Sequence, residues 1–128
     1  MSDDTFHRDK AIRNYSFFTS TDLDNTSYPE WAVVVLFYEC LHYVDAILWK
    51  DNSLPADLRS PCDHWHRREA LRNCPTLSNV APFYLSLYDR SRDSRYTRLG
   101  ISSTEYHKIK MRTIEPMRAR LKGLLGIK

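Results

Sequence analysis

A stripe of polar side chains runs along the longest apolar segment of the chain, WAVVVLFYECLHYVDAILW, from Trp31 to Trp49. In an α-helix, a rotation of about 100° per residue places Tyr38, His42, Asp45 and Trp49 on one face. Almost all other residues of the segment are hydrophobic. Polar groups inside such a helix must be hydrogen-bonded, paired or directed at a ligand. The stripe is therefore the first candidate for chemistry.

The stripe allows two interpretations. His42 lies one turn from Tyr38 and near the carboxylate of Asp45. An imidazole has an ordinary pKa of about 6.5 and is suited to act as a general base, for example towards a ribose 2′-hydroxyl. The alternative is that these three residues form a hydrogen-bonded network that fixes the packing of the helix.

A second candidate cluster lies in LYDRSRDSRY, from Leu87 to Tyr96. Arg92 and Arg95 are one helical turn apart, Tyr88 shares their face, and Tyr96 is beside them. The forked donors of arginine match phosphate oxygens, and a tyrosine ring can stack on a base. The alternative is that the arginines are ion-paired. The acidic residues available for such pairing are Asp89, Asp93, Glu39 and Asp45.

A third group of residues combines thiols and imidazoles. Cys62 and Cys74 enclose His64 and His66, but C-x-H-x-H-x7-C matches no common structural zinc site. We therefore predict no metal site and no cofactor. Two arginines follow the second histidine, so the segment also carries a cationic cluster suited to an RNA backbone, unless it is simply a solvated surface. The cluster comprises His64, His66, Arg67 and Arg68.

Composition indicates a single domain, 1–128, with one core. The chain has only three glycines, which argues against a Gly-rich phosphate loop. Nineteen Lys and Arg against 16 Asp and Glu give a net charge of +3, and the excess of cations lies after Arg90. A basic C-terminal half is suited to meet phosphates. The alternative is the solvated face of an amphipathic helix.

Several features predict a cytoplasmic protein without a membrane partner. The N-terminus, MSDDTFHRDK, lacks the apolar region of a signal peptide. Three ionisable residues near the centre of the long apolar segment, Glu39, His42 and Asp45, would each be costly in lipid. The three cysteines are an odd number without framework spacing, which indicates reduced thiols.

Helical periodicity and end signals predict an all-α, up-and-down bundle of four main helices plus one short helix. The apolar segment forms the central helix, from about Pro29 to Lys50. DNSLPADLRSPCDHWH carries two prolines and is predicted to be a long loop. Ser102 and Glu105 form a capping box for the final helix, with an irregularity at Pro116. The remaining helices are predicted from residue 2, 3 or 4 to Phe18, from about His66 to Asn73, and from a cap at Thr76 or Ser78 into SRDSRY.

Four segments, in this order, resemble small bacterial and archaeal HEPN-domain proteins: KAIRNYSFF, YPEWAVVVLFYECLHYVDAIL, a loop histidine before HRREAL, and YLSLYDRSRDSRY. The most specific parts are W-A-x4-F-Y-x2-L-H-x-V-x-A from Trp31 to Ala46 and L-Y-x2-S-R-x2-R-Y from Leu87 to Tyr96. The resemblance implies an up-and-down helical bundle, frequently a homodimer, that binds nucleotides or RNA. Several branches of the family are metal-independent ribonucleases of toxin–antitoxin or defence systems, often with a nucleotidyltransferase-like antitoxin as partner.

The catalytic signature of that family is an arginine separated from a histidine by four to six residues, near the last long helix and paired across the dimer. In this chain the first histidine after Arg92 and Arg95 is His107, which is too distant for the signature. The spacing occurs between Arg59 and His64, in RSPCDH, and again between Arg59 and His66, within the predicted loop. A motif of this kind requires the matching structural context.

Two functions are consistent with these observations. In the first, a HEPN-type homodimer binds RNA or nucleotides and cleaves RNA by attack of the 2′-hydroxyl on the adjacent phosphate. His42 or His64 is then the base, and Arg92 or Arg95 stabilises the developing charge. In the second, the chain is a non-catalytic interaction module that binds a protein such as a nucleotidyltransferase-like partner. Enzymatic function requires a histidine and an arginine in one accessible cleft. The further residues predicted to contact RNA or nucleotide are Tyr38, Asp45, His66, Arg67, Tyr88 and Tyr96.

Overall fold

The computed structural model describes residues 4–92 and 101–127, and it is all-α, with no strand in those two ranges. 3₁₀ turns lie at Leu23–Asn25 and Pro75–Leu77, and a π-helical turn at Lys110–Ile114 joins the last two helices into one continuous C-terminal helix. The helices are α1 Asp4–Ser20, α2 Pro29–Lys50, α3 Ala56–Arg59, α4 His64–Arg72, α5 Ala81–Arg92, α6 Ser103–Ile109 and α7 Glu115–Leu124.

The apolar segment forms α2 at the centre of the bundle, as predicted. Helix α1 packs along it, and α3, α5 and the C-terminal helix contact it from other sides. Most residues of α2 are buried, including the polar Glu39 and Asp45. Pro29 stands at the first helical position, where its missing N–H costs no hydrogen bond. The helix that carries the polar stripe therefore lies in the core. Within the stripe, Asp45 is buried and needs an internal partner, whereas Tyr38, His42 and Trp49 are half-buried.

By length and composition alone, α2 qualifies as a candidate membrane span, with a mean hydropathy of 1.5 in its most apolar window. Within the structure, 78% of that window is buried. The core helix of a soluble bundle meets the same criterion. Localisation in the cytoplasm and the lack of a membrane partner therefore stay predictions.

The segment predicted to be a long loop is partly helical. Ala56–Arg59 forms the short helix α3 after Pro55, and α4 begins at His64 rather than near His66 because the Asp63 side chain caps it. With the C-terminal helix taken as one, the described residues form six helices instead of the predicted five. The predicted all-α class is thus confirmed, and the predicted number of helices is not.

The C-terminal helix begins as predicted and is irregular where Pro116 disturbs it. The Ser102 hydroxyl accepts a 3.0 Å hydrogen bond from the backbone N–H of Glu105. Because Pro116 has no N–H, the carbonyl four residues earlier, on Arg112, lacks its α-helical donor. The backbone there widens into the π-helical turn Lys110–Ile114.

Candidate functional site

The polar stripe of α2 is met by arginines from α3 and α4. Asp45, only 5% exposed, receives two hydrogen bonds of 2.9 Å from Arg67 on α4, one to each carboxylate oxygen. One turn further along, the Arg59 guanidinium lies 5.1 Å from the centroid of the Trp49 ring. Arg59 also donates hydrogen bonds of 3.1 and 2.6 Å to the Trp49 carbonyl oxygen. Each arginine thus binds one residue of the stripe.

These contacts change the interpretation of three predicted residues. Asp45 and Arg67, predicted as separate contacts to RNA, bind each other in a bidentate pair that uses both carboxylate oxygens. Arg59, the first residue of the RSPCDH motif, binds the end of α2. The arrangement favours a positioning role for Asp45, Arg67 and Arg59, because the polar groups that a ligand would contact are already engaged.

His64, Tyr88 and Arg92 come together beside α2, and we call them the Tyr88 site. The rings of His64 and Tyr88 have centroids 4.1 Å apart. The guanidinium carbon of Arg92 is 5.7 Å from the Tyr88 centroid, within the range of a cation–π contact. The ring of Phe37 on α2 lies behind them, 6.1 Å from Tyr88 and 6.3 Å from His64. A histidine and an arginine therefore both contact the same aromatic ring, that of Tyr88.

Local helix geometry explains this convergence. His64 and Arg67 are three residues apart on α4 and point to the same side, so the Arg67–Asp45 pair also orients His64. Tyr88 and Arg92 are four residues apart on α5 and share a face in the same way. The cap at Asp63, whose carboxylate accepts a 2.9 Å hydrogen bond from the backbone N–H of His66, fixes where α4 begins.

The guanidinium of Arg92 is accessible. Its side chain is exposed, and among residues 4–92 and 101–127 no carboxylate lies within ion-pair distance of it. Two of the acidic partners considered for it have other arginines, since Arg67 binds Asp45 and Arg118 binds Glu39. Within the described ranges, Arg92 is thus the cation of the Tyr88 site that is available to a phosphate.

His42 lies apart from this site, in a groove between α1 and α2 that is lined by Lys10, Phe17 and Tyr38, among others. Burial lowers the pKa of the His42 imidazole to about 4, although the charge of Asp45 opposes the shift. Its Nδ1 has no hydrogen-bond partner within the described ranges. The imidazole is therefore neutral at pH 7 and lies beside basic α1, away from Arg92.

The remaining predicted site residues differ in position. Tyr38 is half-buried and lines the His42 groove, and its ring contacts that of Phe37 edge-on, with the centroids 5.3 Å apart. His66 is bound to Asp63, with 2.7 Å between Nδ1 and Oδ1. Arg95 and Tyr96 lie outside the described residues.

A buried tyrosine near the site was not singled out in the sequence. Tyr84 on α5 is 1% exposed, and its ring lies 5.5 Å from that of Phe37. Its hydroxyl has no hydrogen-bond partner in the described part of the chain, and burial raises its pKa. A tyrosine at a core-facing helical position gives no sequence signal that its hydroxyl lacks a partner.

A second buried acid–arginine pair lies on another side of α2. Glu39 is fully buried and accepts a 2.8 Å hydrogen bond from Arg118 Nε, and the Arg118 guanidinium lies 3.7 Å from the centroid of the Tyr15 ring. Burial raises the pKa of Glu39 to about 7, although Arg118 opposes the shift. Arg118 therefore does not belong to a solvated basic face of the C-terminal helix, because its guanidinium turns inward to a core carboxylate.

Basic side chains also surround an open cavity of about 520 Å³ between the end of α5 and the C-terminal helix. Arg90, Lys108 and Arg112 line it together with the hydroxyls of Ser102 and Thr104. Arg90 is 3.6 Å from a carboxylate oxygen of Glu105, so one of the three cations is paired. Arg90 lies two residues before Arg92, which places this basic cavity and the Tyr88 site near the same end of α5.

Comparison with models of protein families finds no matching family, and comparisons with curated proteins and with solved structures find no significant match. The resemblance to HEPN-domain proteins therefore stays a prediction from the quoted motifs.

Proposed function

We propose that this protein binds RNA or nucleotides at the Tyr88 site, in keeping with its resemblance to HEPN-domain proteins. The observation that carries the proposal is that the His64 ring and the Arg92 guanidinium both approach Tyr88, at 4.1 and 5.7 Å from the ring centroid. Arg92 is exposed. A short imidazole and a long guanidinium side chain thus both lie beside the ring of Tyr88.

The chemistry of these groups suits a nucleotide better than a simple anion. The guanidinium of Arg92 presents two parallel donors to phosphate oxygens, and the imidazole of His64 can hydrogen-bond to a ribose hydroxyl or a second phosphate oxygen. Tyr88 and the nearby Tyr38 offer ring faces and edges to a base. The buried Arg67–Asp45 pair holds α4, and with it His64, against α2.

Binding is tested with a fluorescently labelled single-stranded RNA and measured by fluorescence anisotropy at fixed salt, because phosphate contacts are salt-dependent. We expect Arg92→Gln to weaken binding about tenfold, as the loss of one good phosphate contact costs about 1–2 kcal/mol. Arg120→Gln is the matched control, since Arg120 is an exposed arginine on α7. Equal weakening by both variants would indicate general charge attraction and would overturn the site.

Cleavage is the stronger form of the same proposal. In it, His64 accepts the proton of the 2′-hydroxyl as that oxygen attacks the adjacent phosphorus, Arg92 stabilises the charge on the phosphate oxygens, and the departing 5′-oxygen takes a proton from water. Incubating structured RNA with the parent protein in EDTA tests it. Cleavage that survives chelation and is lost in folded His64→Ala and Arg92→Gln supports catalysis. Binding without cleavage restricts the function to recognition.

A second function, a protein-interaction module, is favoured by the exposed aromatic residues near the start of α2 and on α1. Tyr28, Trp31 and Phe17 are 64%, 56% and 53% exposed, and aromatic side chains are enriched at interfaces. Under this alternative the partner is a second copy of the chain or a nucleotidyltransferase-like protein. Light scattering after size-exclusion chromatography tests the homodimer. A dimer that Trp31→Ser converts to a folded monomer would support the interface.

A further inference from the structure

Three side chains with different metal-binding atoms meet at the start of α4. The Cys62 thiol lies 3.7 Å from Nδ1 of His66, and that nitrogen lies 2.7 Å from a carboxylate oxygen of Asp63. The thiol sulfur, the imidazole nitrogen and the carboxylate oxygen are all within 4.8 Å of one another. Cys62 and Asp63 are exposed and His66 is half-buried, so an ion could reach all three from solvent.

We propose that Cys62, Asp63 and His66 form a binding site for a zinc-type divalent transition-metal ion, with the fourth coordination position open to water or another ligand. Thiolate, imidazole and carboxylate are the three protein ligands of zinc. With metal–ligand bonds of about 2.0–2.3 Å, ligand atoms in a tetrahedral site lie about 3.3–3.8 Å apart. The separation of 3.7 Å between sulfur and nitrogen already fits this geometry.

Binding requires a small rearrangement and the release of protons. The contact of 2.7 Å between His66 and Asp63 is a hydrogen bond, and it must lengthen by a fraction of an ångström as the ion replaces the proton between the two atoms. The thiol of Cys62 gives up its proton to become the thiolate ligand. No oxidant or reductant takes part, and the released protons go to solvent.

The local backbone holds the three ligands together. Cys62 and His66 are four residues apart, across the first turn of α4. The carboxylate of Asp63 is fixed because it also accepts the capping hydrogen bond from the backbone N–H of His66, at 2.9 Å. The buried Pro61 precedes the group and restricts the approach of the chain. The ligands are therefore grouped without a bound ion.

The sequence pattern did not reveal this set because two of its four candidate ligands lie elsewhere. His64 is directed at Tyr88, and Cys74 is 1% exposed in the core. Asp63, which was not considered as a ligand, takes part instead. The sequence predicted no metal site because it offered no four-ligand pattern, and the three-ligand site proposed here departs from that prediction.

A cobalt titration tests the proposal, because Co²⁺ occupies zinc-type sites and a thiolate ligand gives it a charge-transfer absorption band. The experiment uses the full chain, free of affinity tags and reduced. We expect saturation at one Co²⁺ per chain, a thiolate-to-cobalt band, and displacement of the cobalt by Zn²⁺. The ring of Trp65 lies 4.9 Å from that of His66, so Co²⁺ should also quench its fluorescence.

Variants locate the ion. Cys62→Ser should abolish the charge-transfer band, and His66→Ala should weaken Co²⁺ binding at least tenfold. Asp63→Asn keeps the helix cap, since Asn also caps, and should weaken binding less. His107→Ala, at an exposed histidine on α6, is the control and should bind as the parent does. The proposal is overturned by a folded parent that shows no saturable binding, or by a charge-transfer band that persists in Cys62→Ser.

Discussion

Helix α2 buries two carboxylates that are six residues apart, those of Glu39 and Asp45. Each is bound by an arginine, but in a different way. Asp45 is bound on both oxygens by Arg67. Glu39 is bound on one oxygen by Arg118, and a further polar neighbour is the hydroxyl of Tyr43, one turn along the same helix. Burial dominates at Glu39 and raises its pKa to about 7. A buried acid is thus held as a closed ion pair in one place and as a readily protonated group in the other.

The difference indicates separate roles for the two sides of α2. A buried carboxylate is stabilised as an anion only when several hydrogen bonds replace its water. Arg67 provides two, and the helix that carries Arg67 also carries His64 of the Tyr88 site. Arg118 provides one, and it joins α2 to the C-terminal helix. The Arg67–Asp45 pair therefore positions the candidate site. The Arg118–Glu39 pair is part of the core, and its contribution to the free energy of unfolding depends on pH.

The largest expected effect comes from breaking the closed pair. Asp45→Asn leaves the charge of Arg67 nearly buried without its counter-ion, which costs about 3 kcal/mol or more of the free energy of unfolding. Urea denaturation followed by circular dichroism measures the loss. Replacing both partners, as Asp45→Asn with Arg67→Met, should recover part of it, because the uncompensated charge is removed. A loss below about 1 kcal/mol for Asp45→Asn would contradict a closed buried pair.

The open pair is tested by its pH dependence. The pKa of Glu39 is about 7 in the folded protein against an ordinary value of 4.5, so the folded state holds the proton more tightly. The stabilisation from this proton is complete below pH 4.5 and is lost as the pH rises towards 7. The free energy of unfolding of the parent relative to Glu39→Gln should therefore fall across this interval.

The comparison with Glu39→Gln is necessary because His42 acts in the opposite sense. Its pKa is lowered from 6.5 to about 4, so its contribution to stability is present above pH 6.5 and is lost as the pH falls towards 4. Both Glu39→Gln and the parent retain His42, and the difference between them isolates the carboxyl group. A difference that does not change with pH would show that Glu39 titrates normally.

A smaller effect is expected at the end of the stripe. Arg59→Met removes two hydrogen bonds to the Trp49 carbonyl oxygen and the contact with the Trp49 ring. The methionine still covers the ring, so we expect a loss of about 1 kcal/mol in the free energy of unfolding. Arg68→Met, at an exposed arginine of α4, is the control and should change stability little. Equal stability of the two variants would contradict a role for Arg59 in fixing the end of α2.

The sequence was sufficient where local signals are strong. The apolar run of α2, the serine cap at Ser102 and the disturbance at Pro116 depend on nearby residues and were predicted correctly. It failed at Ala56–Arg59, where a single helical turn after Pro55 is too short to show periodicity. It also placed the start of α4 two residues late, because Asp63 was not recognised as the cap.

The pairing of the candidate site residues could not be predicted, because it depends on packing between distant parts of the chain. The sequence identified Asp45 as a residue that needs a partner, but its partner is 22 residues away, and Arg92 was an equally reasonable candidate. Glu39 and Arg118 are 79 residues apart. Charge and spacing indicate which groups require partners, and only the arrangement of helices decides which ones meet.

The most direct test of RNA or nucleotide binding at the Tyr88 site is photo-crosslinking with single-stranded RNA that contains 4-thiouridine, followed by mass spectrometry of the adducts. We expect adducts in peptides that carry His64 or Tyr88, and their loss in folded Arg92→Gln but not in Arg120→Gln. Adducts confined to the α1–α2 groove, at Phe17 or His42, would contradict the Tyr88 site as the place where RNA binds.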